Sequence, residues 1–565
     1  MGVIETRREQ MFPRLTPAQR MTALRFASDE ERTFDAGELL YDIGERDVPA
    51  WLILDGSVAV TRRAGLETQA PITTHLCGEF TGEVSQLAGR PSLAAGRAGP
   101  DGCRAVPFDA AHLRALMIGS AEVGEVVMRA MILRRVDLIE AGGAGAILVG
   151  RPGSPRVTRL QGFLRMSGVP HLVLDADAEG EGRDLVERLG VLADELPLMV
   201  CPDGTVLKVP TDAEAAACLG LVRELDPALL YDVAVVGAGP AGLAAAVYAA
   251  SEGLSVIVLD GTAMGGQAGQ SNRIENYLGF PTGISGHALA ARAFNQALKF
   301  GAEMAIPLGV SAMRVDELGD PIIFELADGR EVRSKTAVVA SGARYRRPAL
   351  PNLAAYEGAG VSYWATPVEA RLCAGQEVAL VGGGNSAGQA AVFLADHVSH
   401  LHMVVRRPIE ATMSRYLVDR IAALSNVQLH VDYEIVELAG DPSHGLEGAV
   451  FRSRSGGCAV HRPLRHLFLF VGADPNAGWL GANIVRDAAG FVVTGCPGPS
   501  NRSGRLVLPL ETSCPGVFAI GDVRAGSTKR VAAAVGEGAA VVAQLHLALS
   551  GSMDRAPTLV VGRQL

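Results

Sequence analysis

The sequence contains no C-x-x-C pair, although eight cysteines are spread over its 565 residues. Short-spaced zinc knuckles and a local dithiol both need closely spaced cysteines, so both are excluded. In a reducing cytosol we expect most of the eight to be buried as small hydrophobic residues. They are Cys77, Cys103, Cys201, Cys218, Cys373, Cys458, Cys496 and Cys514.

Signals for export, membrane insertion and nucleic-acid binding are also lacking. The first twelve residues contain no apolar h-region, and the Arg7-Arg8 pair is typical of solvated surface. No run of about 18 apolar residues is free of charges and turn residues, so we expect no spanning helix. The net charge of −10 argues against a nucleic-acid partner. We therefore expect a cytoplasmic protein that binds neither a membrane nor nucleic acid.

Length and glycine content indicate several domains with nucleotide-binding loops. A chain of 565 residues is too long for one hydrophobic core, and three or four domains are expected. Many of the 67 glycines stand in short clusters beside apolar runs. That placement favours phosphate-binding turns over a flexible linker.

The first cluster stands in an ordered strand–turn–helix–strand pattern. An apolar strand at residues 232–236 leads into the turn 237–242, and an alanine-rich helix follows at 243–251. A second strand at 255–259 ends at Asp260. This order is that of a unit that binds a dinucleotide, in which the acid meets a ribose hydroxyl.

Each glycine of this turn has a separate physical task. Gly237 permits the tight turn, Gly239 lets the backbone approach a pyrophosphate, and Gly242 allows close packing of helix on strand. The helix N-terminus presents free N–H groups and a partial positive charge to the phosphates. The predicted site residues of this unit are Gly237, Gly239, Pro240, Ala241, Gly242 and Asp260.

A second unit of the same kind follows. It has a strand at 377–381, a turn at 382–387, a helix at 388–396 and a strand at 400–405. The predicted site residues of its turn are Gly382, Gly384, Asn385, Ser386 and Ala387.

The strand at 400–405 ends in Arg406 and Arg407 rather than in an acid. A carboxylate there would repel a 2′-phosphate, whereas arginines bind one bidentately. The pair therefore predicts NADPH as the nucleotide, the alternative being two solvated arginines. Two dinucleotide units in one chain favour hydride transfer between nicotinamide and flavin.

The region 229–551 resembles the low-molecular-weight bacterial thioredoxin reductases. The matching segments are 265–267 (GGQ), 274–280 (IENYLGF), 340–343 (ASGA), 406–407 (RR), 472–476 (GADPN) and 519–522 (AIGD). The resemblance implies that an NADPH unit is inserted in a split FAD domain, that Asp522 bonds the ribityl chain, and that a homodimer forms. Its implied FAD residues also include Gly265, Gly266, Gln267, Asn276, Ala340, Gly342, Gly521, Arg530 and Val531.

The family's redox cysteine pair is replaced in this sequence. The segment 360–369 reads GVSYWATPVE, and Trp364 and Pro367 stand where the two cysteines are expected. Without a thiolate there is no nucleophile to attack a disulfide. Cys373 lies six residues beyond Pro367, on what we expect to be a surface loop. Trp364 either covers the flavin ring by stacking or fills the vacated volume as a packing residue.

The first 143 residues resemble a cyclic-nucleotide-binding domain, with a small β-barrel followed by a helical stretch at 110–139. Residues 80–84 resemble the start of the phosphate-binding cassette, in which Glu83 takes the ribose hydroxyl. The arginine that grips the cyclic phosphate is missing after Pro91, where the chain reads SLAA. We therefore expect no binding of cAMP or cGMP.

Residues 144–226 resemble a thioredoxin- or glutaredoxin-like domain. Strands are expected at 146–149 and 172–175, and residues 196–198 match the loop that carries the family's cis-proline. The C-x-x-C would fall near residues 153–155, and no cysteine stands there. Both N-terminal domains are therefore predicted to act as scaffold, docking or sensing elements.

These inferences combine into one prediction. The fold class is α/β, with two Rossmann-type three-layer domains preceded by a small β-barrel domain and a thioredoxin-like α/β domain. The function is an NADPH-dependent FAD oxidoreductase that passes electrons to an unidentified acceptor, with FAD and NADPH as cofactors and no metal. The alternatives are a ferredoxin- or flavodoxin-type carrier reductase and a flavin-based redox sensor. The FAD domain spans 227–345 and 471–550, the NADPH domain 346–470 and the C-terminal tail 551–565.

Overall fold

The computed structural model describes the chain in eleven segments, and all structural statements below refer to them. They are residues 3–66, 68–82, 84–140, 145–151, 154–222, 224–271, 273–315, 321–441, 445–457, 459–496 and 507–550. Glu83, Gly153 and the tail after residue 550, which figure in the predictions above, lie outside them.

The N-terminal unit is an antiparallel sheet flanked by helices. Two long strands pair along most of their length and carry three short ones, in the order β1-β5-β3-β4 with β2 on β5. The closed barrel expected from the sequence stays a prediction. The elements are α1 Val3–Met11, α2 Pro17–Leu24, β1 Arg32–Phe34, β2 Leu39–Tyr41, β3 Ala50–Arg63, β4 Gln69–Leu76, a 3₁₀ turn Val84–Ala88, β5 Ala94–Phe108, α3 Ala110–Gly119 and α4 Ala121–Glu140.

The helical stretch expected at 110–139 is divided into two helices. Asp109 caps α3 by accepting a hydrogen bond from the His112 N–H. Ser120 then adopts an extended backbone conformation and ends α3 before α4 begins. The apolar periodicity continues across this break, so the sequence pattern alone does not reveal it.

The second unit has a four-stranded sheet in the order β7-β6-β8-β9. Strands β6 and β7 are parallel, the remaining pairs are antiparallel, and the Leu196-Pro197 peptide bond is cis. The elements are β6 Ala146–Gly150, α5 Pro155–Met166, β7 His171–Asp175, α6 Glu181–Leu189, a 3₁₀ turn Ala193–Glu195, β8 Leu198–Val200, β9 Val206–Lys208 and α7 Asp212–Cys218.

Two cysteines of this unit form a disulfide, which the sequence pattern did not predict. Cys201 follows β8 and Cys218 ends α7, and their Cα atoms are 5.9 Å apart. The tertiary fold brings together two residues that are 17 positions apart in the chain. No local spacing signal announces such a pair.

The third unit is a seven-stranded sheet in the order β12-β11-β10-β15-β14-β13, with β26 on β15. Its parallel strands are buried between α8, α10 and α15 on one side and a second apolar cluster on the other. The first elements are β10 Leu230–Val236, α8 Pro240–Ser251, β11 Val256–Leu259, α9 Gly266–Gly269, α10 Gly286–Lys299 and β12 Glu303–Ala305. The others are β13 Val310–Arg314, β14 Ile322–Leu326, β15 Glu331–Val339, β26 Val517–Ala519, a 3₁₀ turn Gly521–Val523 and α15 Val531–Leu549.

The fourth unit interrupts the third. Its five parallel strands follow the order β17-β24-β18-β19-β20, and an antiparallel meander β21-β22-β23 covers one face. The first elements are α11 Leu353–Tyr356, β17 Val361–Ser362, α12 Pro367–Leu372, β18 Glu377–Val381, α13 Asn385–Ala395 and β19 His400–Val405. The others are a 3₁₀ turn Ile409–Ala411, α14 Arg415–Ala422, β20 Val427–Val431, β21 Tyr433–Asp441, β22 Gly445–Ser453, β23 Val460–Pro463 and β24 His466–Leu469.

A two-stranded ladder joins the third and fourth units. Strands β16 (Ala343–Tyr345) and β25 (Ala473–Pro475) are antiparallel, and the chain enters the fourth unit through one and leaves through the other. The Arg346 Nε donates a 2.8 Å hydrogen bond to the Asp474 carboxylate beside this ladder. Only two backbone strands therefore connect the two units covalently.

The C-terminal helix α15 is long and apolar enough to cross a membrane by length and composition alone. Of its apolar window, 28% is buried inside the protein. Glu537 interrupts the apolar run, and the buried face of α15 packs against α8. The same composition is found in core helices, and α15 has that role in the third unit.

Candidate functional site

The two glycine-rich turns lie where parallel strands end and helices begin. The first joins β10 to α8, and Gly237 has a φ of +115°. A Cβ atom on Gly237 would lie 2.2 Å from the Ala340 carbonyl oxygen, and one on Gly242 only 1.9 Å from the Gly237 oxygen. No larger residue fits either position. Ala340 is thereby held against the turn, as the predicted site requires.

Open space remains at the third glycine of this turn. Gly239 caps α8 at its N-terminus, and a Cβ atom there would meet nothing within 4 Å. Pro240 occupies the first helical turn, where its missing N–H has no cost. The arrangement fits a pyrophosphate, because backbone N–H groups and the helix dipole face unfilled space.

Asp260 supports the turn from the end of β11. Its carboxylate accepts a 2.8 Å hydrogen bond from the Ala238 N–H and two more from the backbone and hydroxyl of Thr262. The acid therefore fixes the loop backbone. Its predicted contact with a ribose hydroxyl stays a prediction.

The segment after β11 closes over the same turn. The Gly265 N–H donates a 2.7 Å hydrogen bond to the Ala238 oxygen, and a Cβ atom on Gly266 would lie 3.2 Å from the Gly239 Cα. Gln267 donates from its side-chain amide to the Ala343 oxygen. Residues distant in sequence thus converge on one groove.

The turn after β26 completes this groove. A Cβ atom on Gly521 would lie 2.8 Å from the Cβ of Ala241, so the turn packs directly on α8. Burial raises the pKa of the neighbouring Asp522, an effect that Lys529 opposes and Glu537 strengthens. Within the described chain no group donates a hydrogen bond to the Asp522 carboxylate. It is therefore available to a ligand hydroxyl.

Sequence reasoning missed three residues around Asp522. Glu537 on α15 accepts a 2.7 Å hydrogen bond from the Gly521 N–H and a forked pair from the Arg524 guanidinium. Burial raises the pKa of Tyr345, and the charge of Asp522 raises it further. Only tertiary folding brings these side chains together, and no local motif marks them.

The remaining predicted flavin residues are less enclosed. Asn276 is exposed, and Arg530 is an exposed N-cap of α15, directly before the half-buried Val531. Gly342 has a φ of +66° and leads from Ala340 into the ladder strand β16. The roles of these four residues at the flavin stay predictions.

The second glycine-rich turn repeats the geometry of the first. Gly382 has a φ of +144°, and a Cβ atom on it would lie 2.5 Å from the Phe470 oxygen. Gly384 caps α13 and a Cβ atom there would meet nothing within 4 Å, so this turn also faces open space. The predicted Ser386 is exposed on the first helical turn, whereas Ala387 is buried.

The loop before α14 braces this turn. The Thr412 hydroxyl donates a 2.8 Å hydrogen bond to the Gly383 oxygen, and the Ser414 N–H donates a 2.7 Å hydrogen bond to the Asn385 side chain. Asn385 is thus engaged with the protein through its oxygen. Its amide N–H groups are left to face a ligand.

Arg406 and Arg407 lie beside the second turn. Strand β19 is parallel to β18, so its C-terminal end reaches the same edge of the sheet, and a Cβ atom on Gly383 would lie 3.7 Å from Val405. Both arginines are exposed, and neither pairs with an acid within the described chain. Two free guanidinium groups at this edge fit a 2′-phosphate.

Trp364 stands directly before α12 and is 41% exposed, so it is not a buried volume-filling residue. Its indole N–H donates a 3.0 Å hydrogen bond to Glu369, which also accepts from the Thr366 N–H. The side chain of Pro367 lies outside the described residues. Its backbone begins α12.

The expectation that Cys373 lies on a surface loop is wrong. Its side chain is fully buried in the apolar core of the fourth unit, against residues of α12 and β18. Burial raises the pKa of its thiol to about 11. The chain turns inward after α12 because an apolar residue pattern continues there, and cysteine packs as a small hydrophobic residue.

One ion pair links the two dinucleotide units outside the ladder. The Arg420 guanidinium on α14 lies 2.8 Å from the carboxylate of Glu275, which belongs to the segment 274–280. Both groups are partly exposed, so this contact is easily broken. Among the described residues no group of three or more His, Cys, Asp or Glu could hold a metal ion.

Comparisons with known proteins agree with this geometry. Residues 231–538 match the profile of the pyridine nucleotide-disulphide oxidoreductase family. The chain is 32% identical to NADPH-dependent thioredoxin reductase 3 of Arabidopsis thaliana over 56% of its own length and 59% of that protein. It is 30% identical to an alkyl hydroperoxide reductase of Escherichia coli over 66% of its length and 64% of that protein. The chain thus spans about three fifths of these two relatives.

A solved structure gives the same result. The crystal structure of thioredoxin reductase from Lactococcus lactis, in its FR conformation, superposes with a TM-score of 0.52 at 27% identity. It covers 57% of this chain and 99% of its own. The chain therefore belongs to the pyridine nucleotide-disulphide oxidoreductase family, as an NAD(P)H-dependent flavoprotein oxidoreductase that resembles thioredoxin reductase.

Proposed function

We propose that this chain is an NADPH-dependent FAD reductase that works without an internal dithiol and delivers electrons to an external acceptor. The observation that carries the proposal is the segment 361–373. It has no cysteine at Trp364 or Pro367, and its one thiol, Cys373, is buried with a pKa raised to about 11. A thiol of that kind is a poor nucleophile at neutral pH.

The residues around the two grooves support the choice of cofactors. The first groove, with Gly239, Gln267 and Asp522, is suited to hold FAD; the second, with Gly384 and Arg406, is suited to hold NADPH. Bound FAD would supply two-electron chemistry between the nicotinamide and an acceptor. The protein residues hold the phosphates, orient the rings and exclude water.

Movement between the two units is part of the proposal. The units are joined by the ladder of β16 and β25 and by the exposed Glu275–Arg420 pair. A two-strand connection permits a hinge rotation, and a partly exposed ion pair offers little resistance to it. The expected homodimer and cytoplasmic location are likewise proposed, to be tested by light scattering and by fractionation.

The test uses the full-length protein and an alkylating agent. Anaerobic NADPH should bleach the flavin absorption, and iodoacetamide added to the reduced protein should leave later reoxidation unchanged, because no reactive thiol takes part. Acceptors are then compared by flavin reoxidation: a thioredoxin-type disulfide protein, a ferredoxin-type carrier, a quinone and oxygen.

Two results would overturn the proposal. Protein purified without FAD that shows no flavin bleaching would remove the cofactor assignment. Reduction of the disulfide protein that alkylation abolishes would place a thiol in the pathway. The variant Cys496→Ser removes the exposed free cysteine and separates incidental alkylation from a functional thiol.

A further inference from the structure

A cavity of about 570 Å³ opens inside the N-terminal unit, between the sheet and the helices α1 and α4. This size is within the range of small-molecule sites. Most of its wall is apolar, formed by side chains from β3, β4, β5 and both helices. Those used below are Phe12, Val60, Ile72, Leu93 and Leu138.

One buried cation lines this cavity. Arg134 on α4 is 7% exposed. Its Nε donates a 2.8 Å hydrogen bond to the Met11 oxygen, and its Nη1 donates to the oxygens of Phe80 at 2.8 Å and Gly82 at 2.9 Å. Its Nη2 is buried and finds no acceptor within the described chain. Two guanidinium N–H groups therefore require a partner.

The neighbouring titratable groups do not supply that partner. Glu79 faces Arg134 electrostatically, but its carboxylate lies 3.1 Å from the Nδ1 of His75. Burial lowers the pKa of His75 to about 4 and raises that of Tyr41 to about 12, so both are neutral. Burial lowers the pKa of Arg134 to about 10, which still leaves it charged at neutral pH. Asp137 also lines the cavity and lies one residue short of Leu138.

A second polar atom on the cavity wall is in the same condition. The side-chain oxygen of Gln86 is buried without a donor in the described residues, while its amide nitrogen lies 3.5 Å from the Pro49 oxygen. Buried polar atoms without partners are uncommon, because each loses its hydration without compensation. Two such atoms on one cavity indicate that a ligand completes it.

We propose that this cavity binds a small carboxylic acid with an apolar body. One carboxylate oxygen accepts from the Nη2 of Arg134, and the apolar body packs between Val60, Ile72 and Leu93. A cyclic nucleotide does not fit the same wall. Its purine and ribose need several polar contacts, and the position after Pro91 carries Ser92 rather than a cation.

The test measures ligand binding to the full-length protein by isothermal titration calorimetry. Decanoate is the probe, and decanol, which has the same chain without the charge, is the matched ligand control. Decanoate should bind at one site per chain, and decanol should bind at least tenfold more weakly, since only the carboxylate satisfies Arg134.

Two neighbouring threonines provide matched variants. Thr73 lines the cavity, while Thr74 follows it on β4 with its side chain on the exposed face. Thr73→Trp should fill the cavity and weaken decanoate binding at least tenfold. Thr74→Trp should leave it unchanged. Arg134→Gln should also weaken it tenfold, with the melting temperature recorded because Arg134 ties three backbone carbonyls.

Several outcomes would overturn the assignment. Decanoate that does not bind, or that binds Thr73→Trp as tightly as the original protein, would show that the cavity is not the site. Decanol that binds as tightly as decanoate would remove the role of Arg134. Binding of cAMP with decanoate excluded would assign the cavity to a nucleotide instead.

Discussion

At the scale of single residues, the turn after β26 depends on one acid of the C-terminal helix. Glu537 accepts from the Gly521 N–H and from two nitrogens of the Arg524 guanidinium. The same turn presents Asp522 to the groove, in which a Cβ atom on Gly239 would meet nothing. Glu537 thus positions a predicted flavin ligand from outside the site.

Replacing Glu537 by glutamine should loosen the flavin. The variant keeps the side-chain volume but leaves Arg524 without its carboxylate, and a lost charged hydrogen bond costs about 1.5–3 kcal/mol. We expect less FAD in the purified protein and a lower melting temperature. Glu252→Gln, which removes a surface partner of His546 on the same helix, is the control. Unchanged flavin content in Glu537→Gln would contradict this role.

Arg406 and Arg407 are the second residue-scale test. Removing one charged hydrogen bond to a 2′-phosphate should cost about 1.5–3 kcal/mol, or roughly 10- to 150-fold in affinity. Arg406→Gln and Arg407→Gln should therefore raise KM for NADPH by about that factor and leave KM for NADH unchanged. Arg415→Gln, an exposed arginine on α14, serves as control. Equal changes for both nucleotides would remove the assignment.

At the scale of elements, the fourth unit buries a layer of histidines between its sheet and the meander. The His402 Nδ1 lies 2.9 Å from the His430 Nε2, and the other His402 nitrogen contacts Glu377. The rings of His400 and His402 are 4.6 Å apart. Burial lowers the pKa of His430 to about 4, and the charges of His402 and Arg462 lower it further.

This layer should make the protein sensitive to acid. His430 is neutral in the folded chain with a pKa of about 4, against about 6.5 unfolded, so the unfolded state binds more protons between these values. The free energy of unfolding should therefore fall as pH falls from about 6.5 to 4. Urea unfolding at pH 7 and pH 5 measures this, with His430→Gln expected to reduce the difference. His75 contributes in the same direction.

The Cys201–Cys218 disulfide is the other element-scale device. It closes a loop of 17 residues between β8 and α7, for which chain entropy gives about 3 kcal/mol. The variant Cys201→Ser with Cys218→Ser should raise hydrogen exchange in β8 and β9, and Cys496→Ser should not. Equal exchange in all three proteins would show that the bond does not stabilise this sheet.

Local signals explain which elements the sequence could predict. Strands β18 and β19 have the predicted bounds, because short apolar runs between turn residues define a buried parallel strand. The break at Ser120 was missed, since apolar periodicity runs through it. The burial of Cys373 and the contact of Glu537 with Arg524 were missed because both arise from tertiary packing.

At the scale of the whole molecule, the N-terminal unit and the FAD-type unit share one hydrophobic core. Phe80 and Leu116 of the first belong to the same buried cluster as Val235 and Leu298 of the second. The guanidinium of Arg90 lies 5.6 Å from the ring centre of Phe294 on α10. The two units are therefore expected to unfold together, whereas the fourth unit has cores of its own.

The proposed function requires that electrons pass through the flavin without an internal dithiol. Cys373 is buried, and Cys201 of the only disulfide among the described residues is buried as well. Anaerobic titration with NADPH, followed by flavin absorption and residual NADPH, measures the electron capacity directly. We expect two electrons per FAD, both in the original protein and in Cys201→Ser with Cys218→Ser. Uptake of four electrons per FAD would show that a dithiol takes part after all.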